Sequence, residues 1–341
     1  MKHNKAKYYL IPAILCMAGI VAIGYFYFFT AFSTQADKQF IYIDDDDTAD
    51  SVYAKLEPLT SKTSLTGFRT LARHYDYASN IRTGRYAIKS GTNTLNVFRT
   101  LRNGRQEPIM LTIPECRTME QMAARLSAKL MIDSTAIAQA LTDQAFCQQL
   151  GYDTCTIPAM FVPNTYEVYW NTSLEKLMQR LSNEHDKFWT PERKQKAAAI
   201  GLSLNEVCTL ASIIDEETAN NAEKPMIAGM YLNRLKIDMP LQADPTVKFA
   251  LKDFALRRIY HTHLEVNSLY NTYKNVGLPP GPIKVASIQG IDAVLNRVSH
   301  TYLYMCAKED FSGTHNFATS YQEHLKNAAR YSKALNERGI K

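Results

Sequence analysis

The sequence lacks the signatures of several large enzyme classes. It contains no glycine-rich phosphate-binding loop and no His-Glu-x-x-His helix of the zinc proteases. The excess of positive charge is also small: the net charge is +6, and three of these charges are Lys2, Lys5 and Lys7. The roughly +3 that remains is too little for a nucleic-acid-binding surface. We therefore expect no nucleic-acid partner, no cofactor and no metal.

Charge is absent altogether from Tyr8 to Phe29, an apolar run long enough to cross a bilayer. Lysines precede this run, and no acidic residue occurs before Asp37. The positive-inside rule then predicts a single-pass helix over residues 8–30, with the tail 1–7 in the cytoplasm and the rest outside the inner membrane. A cleaved signal peptide is the alternative, because Thr30–Ala36 contains small residues at which cleavage could occur. The length of the apolar run favours the anchor.

The few cysteines give no disulfide framework. Cys16 lies in the apolar run, and an odd number of cysteines follows it. Cys147 and Cys155 are close enough in sequence to close a small loop in an oxidising periplasm. Buried free thiols are the simpler expectation.

Three copies of a small unit follow the apolar run and align without gaps: Tyr42–Leu56, Ala87–Leu101 and Thr112–Leu126. Each predicts a short strand, a polar turn and an amphipathic helix, and the copies should pack together. The region 40–130 resembles the LysM-type modules that bind amino-sugar glycans. A repeat without a ligand is the alternative, because no aromatic cluster marks a sugar platform. Asp44–Asp47 lack EF-hand spacing and predict a solvated turn rather than a calcium site.

A carboxylate interrupts the apolar stripe of a helix that Ser203 and Glu206 open as a capping box. Glu217 falls on the face shared by Leu210, Ile213 and Ile214. Burial disfavours the charged form of a carboxyl group and raises its pKa. A carboxyl group that keeps its proton near neutral pH can act as a general acid. A solvated acidic helix end with one inward acid is the structural alternative.

The other acids of this segment are expected to differ from Glu217. Asp215 and Glu216 fall off the apolar stripe and are predicted to face solvent. The helix is predicted to end near Asn220–Asn221, where its negative end would raise the pKa of Glu217 further.

Four ordered segments carry a resemblance that covers nearly the whole chain. They are Leu210–Thr218, Met239–Leu251, Tyr270–Ile283 and Gly313–His324. In order and spacing they resemble the signature segments of the endolytic murein transglycosylase, or YceG-like, family. The resemblance implies an α+β chain: an N-terminal transmembrane helix, a LysM-like βα region, and a mixed α/β catalytic domain over residues 155–341.

The resemblance also assigns roles to residues. Glu217 matches the catalytic glutamate of the family, and Asp215 matches the first acid of its Glu-x-Glu-Thr motif. Six further residues match motif positions that we interpret as substrate contacts: Gln242, Asp244, Thr246, Tyr270, Asn271 and Tyr273. Val285–Ala286 replace the more usual Pro-Gly, which leaves the shape of that segment open.

The reaction implied by the family needs one carboxyl group. Glu217 would protonate the oxygen that leaves muramic acid, and as the carboxylate it would then accept a proton from the muramic 6-hydroxyl. That hydroxyl attacks its own anomeric carbon and gives a 1,6-anhydromuramic end. Hydrolytic glycosidases generally need two carboxylates, so a lyase suits a site with one inward acid. The implied partners are peptidoglycan glycan strands and the cytoplasmic membrane, with cell-wall synthesis proteins as a further candidate.

Two alternatives to this enzyme remain open in the sequence. His261, His263 and Glu265 would share a face on a strand and could bind zinc, with His300 and His315 further along the chain, although their spacing is not a recognised ligand pattern. A non-catalytic glycan-binding scaffold would also explain the repeats. The two classes differ in one observable: a scaffold would tolerate Glu217→Gln and an enzyme would not.

Overall fold

The computed structural model describes residues 5–33, 35–256 and 258–339. The first four residues of the predicted tail 1–7 lie outside these ranges, as do Thr34 of the predicted cleavage stretch and the last two residues of the predicted catalytic domain. The described residues form a mixed α/β protein with one long apolar helix near the N-terminus, which confirms the fold class at this level. The LysM-like character of the repeats stays a prediction.

The secondary structure within the described ranges is mostly helical. The helices are α1 Lys5–Phe28, α2 Ala49–Leu56, α3 Lys62–His74, α4 Thr94–Arg102, α5 Met119–Ser127, α6 Ser134–Thr142, α7 Gln144–Gln149, α8 Leu174–Phe188, α9 Pro191–Ile200, α10 Leu204–Glu217, α11 Lys224–Lys236, α12 Asp244–Leu251, α13 His261–Leu264, α14 Ile288–Leu295 and α15 Tyr321–Glu337. The strands are β1 Gln39–Ile43, β2 Gly84–Ile88, β3 Ile109–Thr112, β4 Thr165–Val168, β5 Tyr304–Ala307 and β6 His315–Ala318. They pair as three two-stranded sheets: β1 with β2, β3 with β4, and β5 with β6.

Helix α1 is long and apolar enough over Tyr9–Phe28 to cross a membrane. Its last turn packs against α3, where the backbones come very close. A Cβ atom added at Gly67 would lie 2.2 Å from the carbonyl oxygen of Tyr27. Only glycine fits at this contact, because any side chain would force the two helices apart.

The chain divides into two compact units. The first unit comprises residues up to Met110 together with Lys129–Met131 and Glu167–Thr172. Its antiparallel sheet places Gln39 opposite Ile88 and Ile43 opposite Gly84. Phe68 lies at the centre of its core, with its ring 5.6 to 6.2 Å from the rings of four aromatic residues: Phe32, Tyr53, Tyr77 and Phe98.

The three sequence copies all form the predicted strand, turn and helix: β1 with α2, β2 with α4, and β3 with α5. The first two copies share one sheet and one core. The third copy differs, because β3 pairs with β4 and α5 packs against α6. The first two copies therefore pack together as the sequence predicts. Asp44–Asp47 form a local turn in which an Asp47 carboxylate oxygen accepts the Asp44 backbone N–H at 2.9 Å.

The second unit comprises Leu111–Ala128, Ile132–Tyr166 and the chain from Ser173. Helix α10 lies at its centre and contacts α11 and α14. Every residue from Val207 to Ile214 is buried, so α10 is enclosed on all sides rather than along one stripe. The helix begins with the predicted capping box: Ser203 Oγ accepts the Glu206 N–H at 3.3 Å, and Glu206 Oε2 accepts the Ser203 N–H at 2.8 Å. It ends at Glu217, before the predicted Asn220–Asn221.

The cysteines at positions 16, 116, 147, 155, 208 and 306 are free thiols in the structure, so Cys147 and Cys155 do not form a disulfide. Cys147 and Cys208 are buried, as a structural role for free thiols predicts.

Candidate active site

Glu217 is the last residue of α10 and lines a cavity of about 240 Å³ in the second unit. Because the core encloses α10, the last turn of the helix lies at the wall of this cavity. The Glu217 side chain is partly exposed there. Other elements supply the remaining walls: Met230, Tyr231 and Arg234 from α11, Leu241–Asp244 before and at the start of α12, Tyr273, and Met305–Ala307 and His315 from the β5–β6 hairpin.

The Glu217 carboxyl group is held by a buried tyrosine. Tyr231 Oη donates a hydrogen bond to Glu217 Oε1 at 2.7 Å. Loss of hydration on burial raises the pKa of Glu217 to about 7, although the Tyr231 hydrogen bond and the charges of His315 and Arg234 act in the opposite direction. The negative charge of Asp244 raises the pKa further. Glu217 therefore holds its proton in a large fraction of molecules at neutral pH, as a general acid requires.

Asp215 does not face solvent, and the prediction that it does is wrong. Its carboxylate is 2% exposed and forms an ion pair with Lys224 at 2.7 Å. It also accepts hydrogen bonds from the Ser287 backbone N–H at 2.7 Å and the Ser287 hydroxyl at 2.8 Å. These bonds tie α10 to the start of both α11 and α14. A helix enclosed on all sides has no solvent face on which this acid could lie.

Glu216 also has partners within the second unit. Arg117 binds its carboxylate through two guanidinium nitrogens, at 2.7 Å from Nη2 and 3.2 Å from Nε. Lys284 lies 3.7 Å away. Of the three consecutive acids, Glu217 alone lines the cavity.

Three of the six predicted substrate contacts line the Glu217 cavity: Gln242, Asp244 and Tyr273. Tyr273 Oη donates a hydrogen bond to Asp244 Oδ1 at 2.6 Å. Gln242 has a left-handed backbone with φ of 49°, which is uncommon for a residue with a side chain. Its N–H donates to the Thr272 carbonyl at 3.1 Å, which helps to hold this conformation beside the cavity. Strained backbone of this kind is concentrated at functional sites.

Thr246 and Asn271 do not reach the cavity, because both are fully buried. The Thr246 hydroxyl donates to the Ala243 carbonyl at 2.7 Å. The Asn271 amide donates to the carbonyls of Leu264 and Val266 at 2.8 and 2.9 Å. Their side chains hold the loops that carry Gln242, Asp244 and Tyr273.

Tyr270 lines a different cavity of the second unit, of about 340 Å³. Its ring packs against Phe249 with the centroids 4.7 Å apart. The turn Tyr270–Tyr273 therefore presents its first tyrosine to one cavity and its last to another.

The catalytic and substrate-binding residues predicted from the sequence do not include three cavity residues: Tyr231, Arg234 and His315. Tyr231 and Arg234 are three residues apart on α11 and so lie on one face. An arginine on a buried helix face needs hydrogen-bond partners, and this requirement could have indicated a polar site there. The Arg234 guanidinium donates hydrogen bonds to the carbonyls of Leu303 and Leu241, at 2.6 and 2.7 Å. His315 lies in the Gly313–His324 segment, whose role the sequence left unspecified.

The proposed His-x-His zinc string does not form the predicted strand. His261 and His263 belong to the short helix α13, and His263 Nδ1 accepts the Tyr260 backbone N–H at 3.0 Å. Across residues 5–33, 35–256 and 258–339, no cluster of three or more His, Cys, Asp or Glu side chains has an arrangement that could hold a metal ion.

Comparison with known proteins supports the family resemblance that the four sequence segments indicate. The sequence model of the YceG-like family matches residues 41–330. The endolytic murein transglycosylase of Bacillus subtilis (strain 168) is 32% identical over 286 residues, which cover 77% of each chain. The endolytic murein transglycosylase of Streptococcus pneumoniae serotype 2 (strain D39) is 27% identical over 294 residues, and the match spans 77% of this chain but only 53% of the pneumococcal protein.

Solved structures agree as well. The 2.6 Å crystal structure of a protein from Listeria monocytogenes described as yceG-like superposes with a TM-score of 0.57 and 26% sequence identity. The match covers 86% of this chain and 99% of the Listeria chain. The match of the family model over most of the chain, together with the Bacillus relative, shows that this protein belongs to the YceG-like family.

Proposed function

We propose that this protein is a membrane-anchored endolytic lytic transglycosylase that cleaves the bond between N-acetylmuramic acid and N-acetylglucosamine within peptidoglycan strands. Membership of the YceG-like family and relatives named endolytic murein transglycosylase confirm the predicted enzyme class. The observation that carries the reaction type is Glu217, a carboxyl group with a pKa of about 7 on the wall of a cavity.

The first step is protonation of the leaving glycosidic oxygen by Glu217. The carboxyl group is suited to it because it is partly protonated at neutral pH and the Tyr231 hydrogen bond fixes its orientation. As the bond from the anomeric carbon to this oxygen breaks, positive charge develops on the muramic ring. The carboxylates of Glu217 and Asp244 face this charge and stabilise it.

The second step closes the muramic ring on itself. The 6-hydroxyl attacks the anomeric carbon, and the proton that it loses restores the Glu217 carboxyl group. No water enters the product, which is a 1,6-anhydromuramic end. Gln242 and Tyr273 bind the glycan beside the reacting bond, while Thr246 and Asn271 support the loops and do not touch it.

The rest of the chain holds the catalytic domain at the membrane and positions its substrate. We propose that α1 anchors the protein in the inner membrane with the tail 1–7 in the cytoplasm and the catalytic domain 155–341 in the periplasm. Residues 40–130 would position the glycan in the manner of a LysM-like module. Release of strand ends during wall synthesis would terminate glycan elongation. Protease added to spheroplasts should digest everything beyond Thr30, and protection of that part would refute the topology.

Mass spectrometry of glycan products tests the reaction directly. The detergent-solubilised full-length protein is incubated with uncrosslinked glycan strands, and the ends of the products are identified. Internal cuts with 1,6-anhydro ends are expected. Reducing ends as the main product would mean hydrolysis, and intact strands would leave a glycan-binding scaffold as the better description.

A further inference from the structure

A buried carboxylate clamps the one histidine that lines the Glu217 cavity. Glu223 Oε1 accepts the His315 backbone N–H at 2.6 Å, and Glu223 Oε2 lies 2.8 Å from His315 Nδ1. The Glu223 side chain is 8% exposed and that of His315 is 16% exposed. Glu223 immediately precedes α11, yet its side chain does not cap that helix. Its hydrogen bonds go instead to a hairpin strand about ninety residues later in the chain.

This clamp determines which ring nitrogen carries the proton. A carboxylate can only accept hydrogen bonds, so His315 Nδ1 must be the protonated nitrogen. In the neutral ring, Nε2 then carries a lone pair. Within the part of the chain that the structure describes, no protein group hydrogen-bonds to this nitrogen. Because the ring lines the cavity and Nδ1 is turned to Glu223, Nε2 is the ring nitrogen available to a bound ligand.

The arrangement is that of an oriented base. In enzymes that activate a hydroxyl group, a histidine that accepts the hydroxyl proton is itself held by a carboxylate on its other nitrogen. Here the same cavity holds a general acid, and the reaction proposed above requires a hydroxyl group to lose its proton. His315 and Glu217 both line this cavity.

We infer that His315, oriented by Glu223, accepts the proton of the attacking 6-hydroxyl and relays it to Glu217. Glu217 first gives its proton to the leaving oxygen and becomes a carboxylate. The bond from O6 to the anomeric carbon forms while the O6 proton moves to His315 Nε2. Once the products have left, water that enters the cavity takes this proton from the imidazolium and delivers one to the Glu217 carboxylate, so both groups return to their starting states. This inference rests on the proposed function and adds a catalytic residue, His315, and a positioning residue, Glu223.

The relay predicts a change in product as well as in rate. His315 also holds the 6-hydroxyl in place for attack, so without it water can compete for the muramic ring. His315→Ala should therefore lower the rate of anhydro-end formation by at least about a hundredfold, the lower range for a general base. The fraction of reducing ends should rise. Added imidazole should restore part of the anhydro-forming rate to this variant, whereas it should not rescue Glu217→Gln.

The experiment uses the full-length protein in detergent and the glycan assay described above. His261→Ala is the matched control, because His261 is exposed and outside the cavity, and it should behave as wild type. Glu223→Gln keeps the side-chain shape but can present its amide N–H to the ring, so it should shift the product ratio in the same direction by a smaller amount. His315→Gln serves as a second variant should thermal melting show that the alanine variant is unfolded.

Three results would overturn the relay. One is an unchanged rate and product ratio in the folded His315 variants. Another is a loss of glycan affinity, measured in a Glu217→Gln background, that accounts for the whole loss of rate. The third is a rate that imidazole does not raise, together with an unchanged product ratio. In each case the wild-type protein still makes anhydro ends. A wild-type protein that makes none would overturn the proposed function itself, and the relay with it.

Discussion

The two compact units bury different kinds of side chain. The core of the first unit consists of aliphatic and aromatic residues around Phe68, and its described buried polar residues, Ser33, Ser64 and Thr94, are uncharged. Its Asp47 carboxylate, 4% exposed, pairs with the partly exposed Lys55 outside this core. In the second unit the described buried residues include Glu223, Lys224 and Arg234. Burial of apolar area stabilises a fold, whereas burial of charge costs desolvation free energy that its partners only partly return. The second unit thus carries groups that cost stability. Arg234 lines the cavity where chemistry is proposed, and Glu223 binds His315 on its wall.

The largest effect should come from Glu217→Gln. The amide keeps the shape of the side chain but can neither deliver nor accept the reacting proton. Anhydro-end formation should fall by about a hundred- to ten-thousandfold, the usual contribution of general acid–base catalysis. Glu216→Gln is the matched control and should retain most activity, because Glu216 pairs with Arg117 outside the cavity. An active Glu217 variant beside an inactive Glu216 variant would show that the wrong acid has been assigned.

The same substitution should change how stability depends on pH. The pKa of Glu217 in the folded protein is about 7, above its ordinary value of 4.5. Between these values the folded state retains a proton that the unfolded state has released, so wild-type stability falls as pH rises through this window. Glu217→Gln abolishes this pH dependence, which lowers the free energy of unfolding of the wild type by on the order of 3 kcal/mol above pH 7. Its melting temperature relative to wild type should therefore rise from pH 4.5 to pH 8, and a constant difference would contradict the raised pKa.

A core substitution in the first unit should affect stability alone. Phe68→Ala removes a ring that four aromatic residues surround, which should lower the free energy of unfolding by about 3 to 5 kcal/mol. Thermal or denaturant melting measures this loss. At equal concentration of folded protein, the rate of glycan cutting should equal that of wild type. A large loss of rate in the fully folded variant would contradict the view that the core of the first unit contributes to stability and not to catalysis.

Asp215→Asn should destabilise the second unit by about 3 kcal/mol, because it leaves the Lys224 ammonium buried without a countercharge. Melting of the purified variant checks this value. Asp292→Asn is a suitable control: its ion pair with Arg193 is partly exposed, with side chains 41% and 26% exposed, so its loss should cost no more than about 1 kcal/mol. If the Asp215 variant is as stable as this control, the buried ion pair does not contribute to the free energy of unfolding.

The smallest effect should come from Tyr231→Phe. The Tyr231 hydrogen bond lowers the pKa of Glu217, so its removal should raise that pKa. A general acid works while it is protonated, so the alkaline limb of the pH–rate profile should move to higher pH. The rate at neutral pH should change by less than about tenfold. A limb that stays in place or moves to lower pH would contradict this role for Tyr231.

Local signals in the sequence were reliable where neighbouring residues decide the structure. The capping box at Ser203, the strand–turn–helix form of the three copies and the inward position of Glu217 all depend on residues close in sequence. Asp215 was misplaced because periodicity assumes that one helix face meets solvent, and α10 has no such face. Motif positions also do not say which side chains reach a ligand. Thr246 and Asn271 occupy such positions but hold loops from within the core.

The sequence by itself determined the elements, the apolar helix and the family, because these follow from periodicity, hydropathy and motif order along the chain. Only the tertiary structure decided which groups surround Glu217. Tyr231, Asp244 and His315 come from separate segments, and the Glu223–His315 clamp joins residues about ninety positions apart. The pKa of Glu217 depends on desolvation and on charges brought close by packing. Such quantities depend on distances through space, which the order of residues along the chain does not contain.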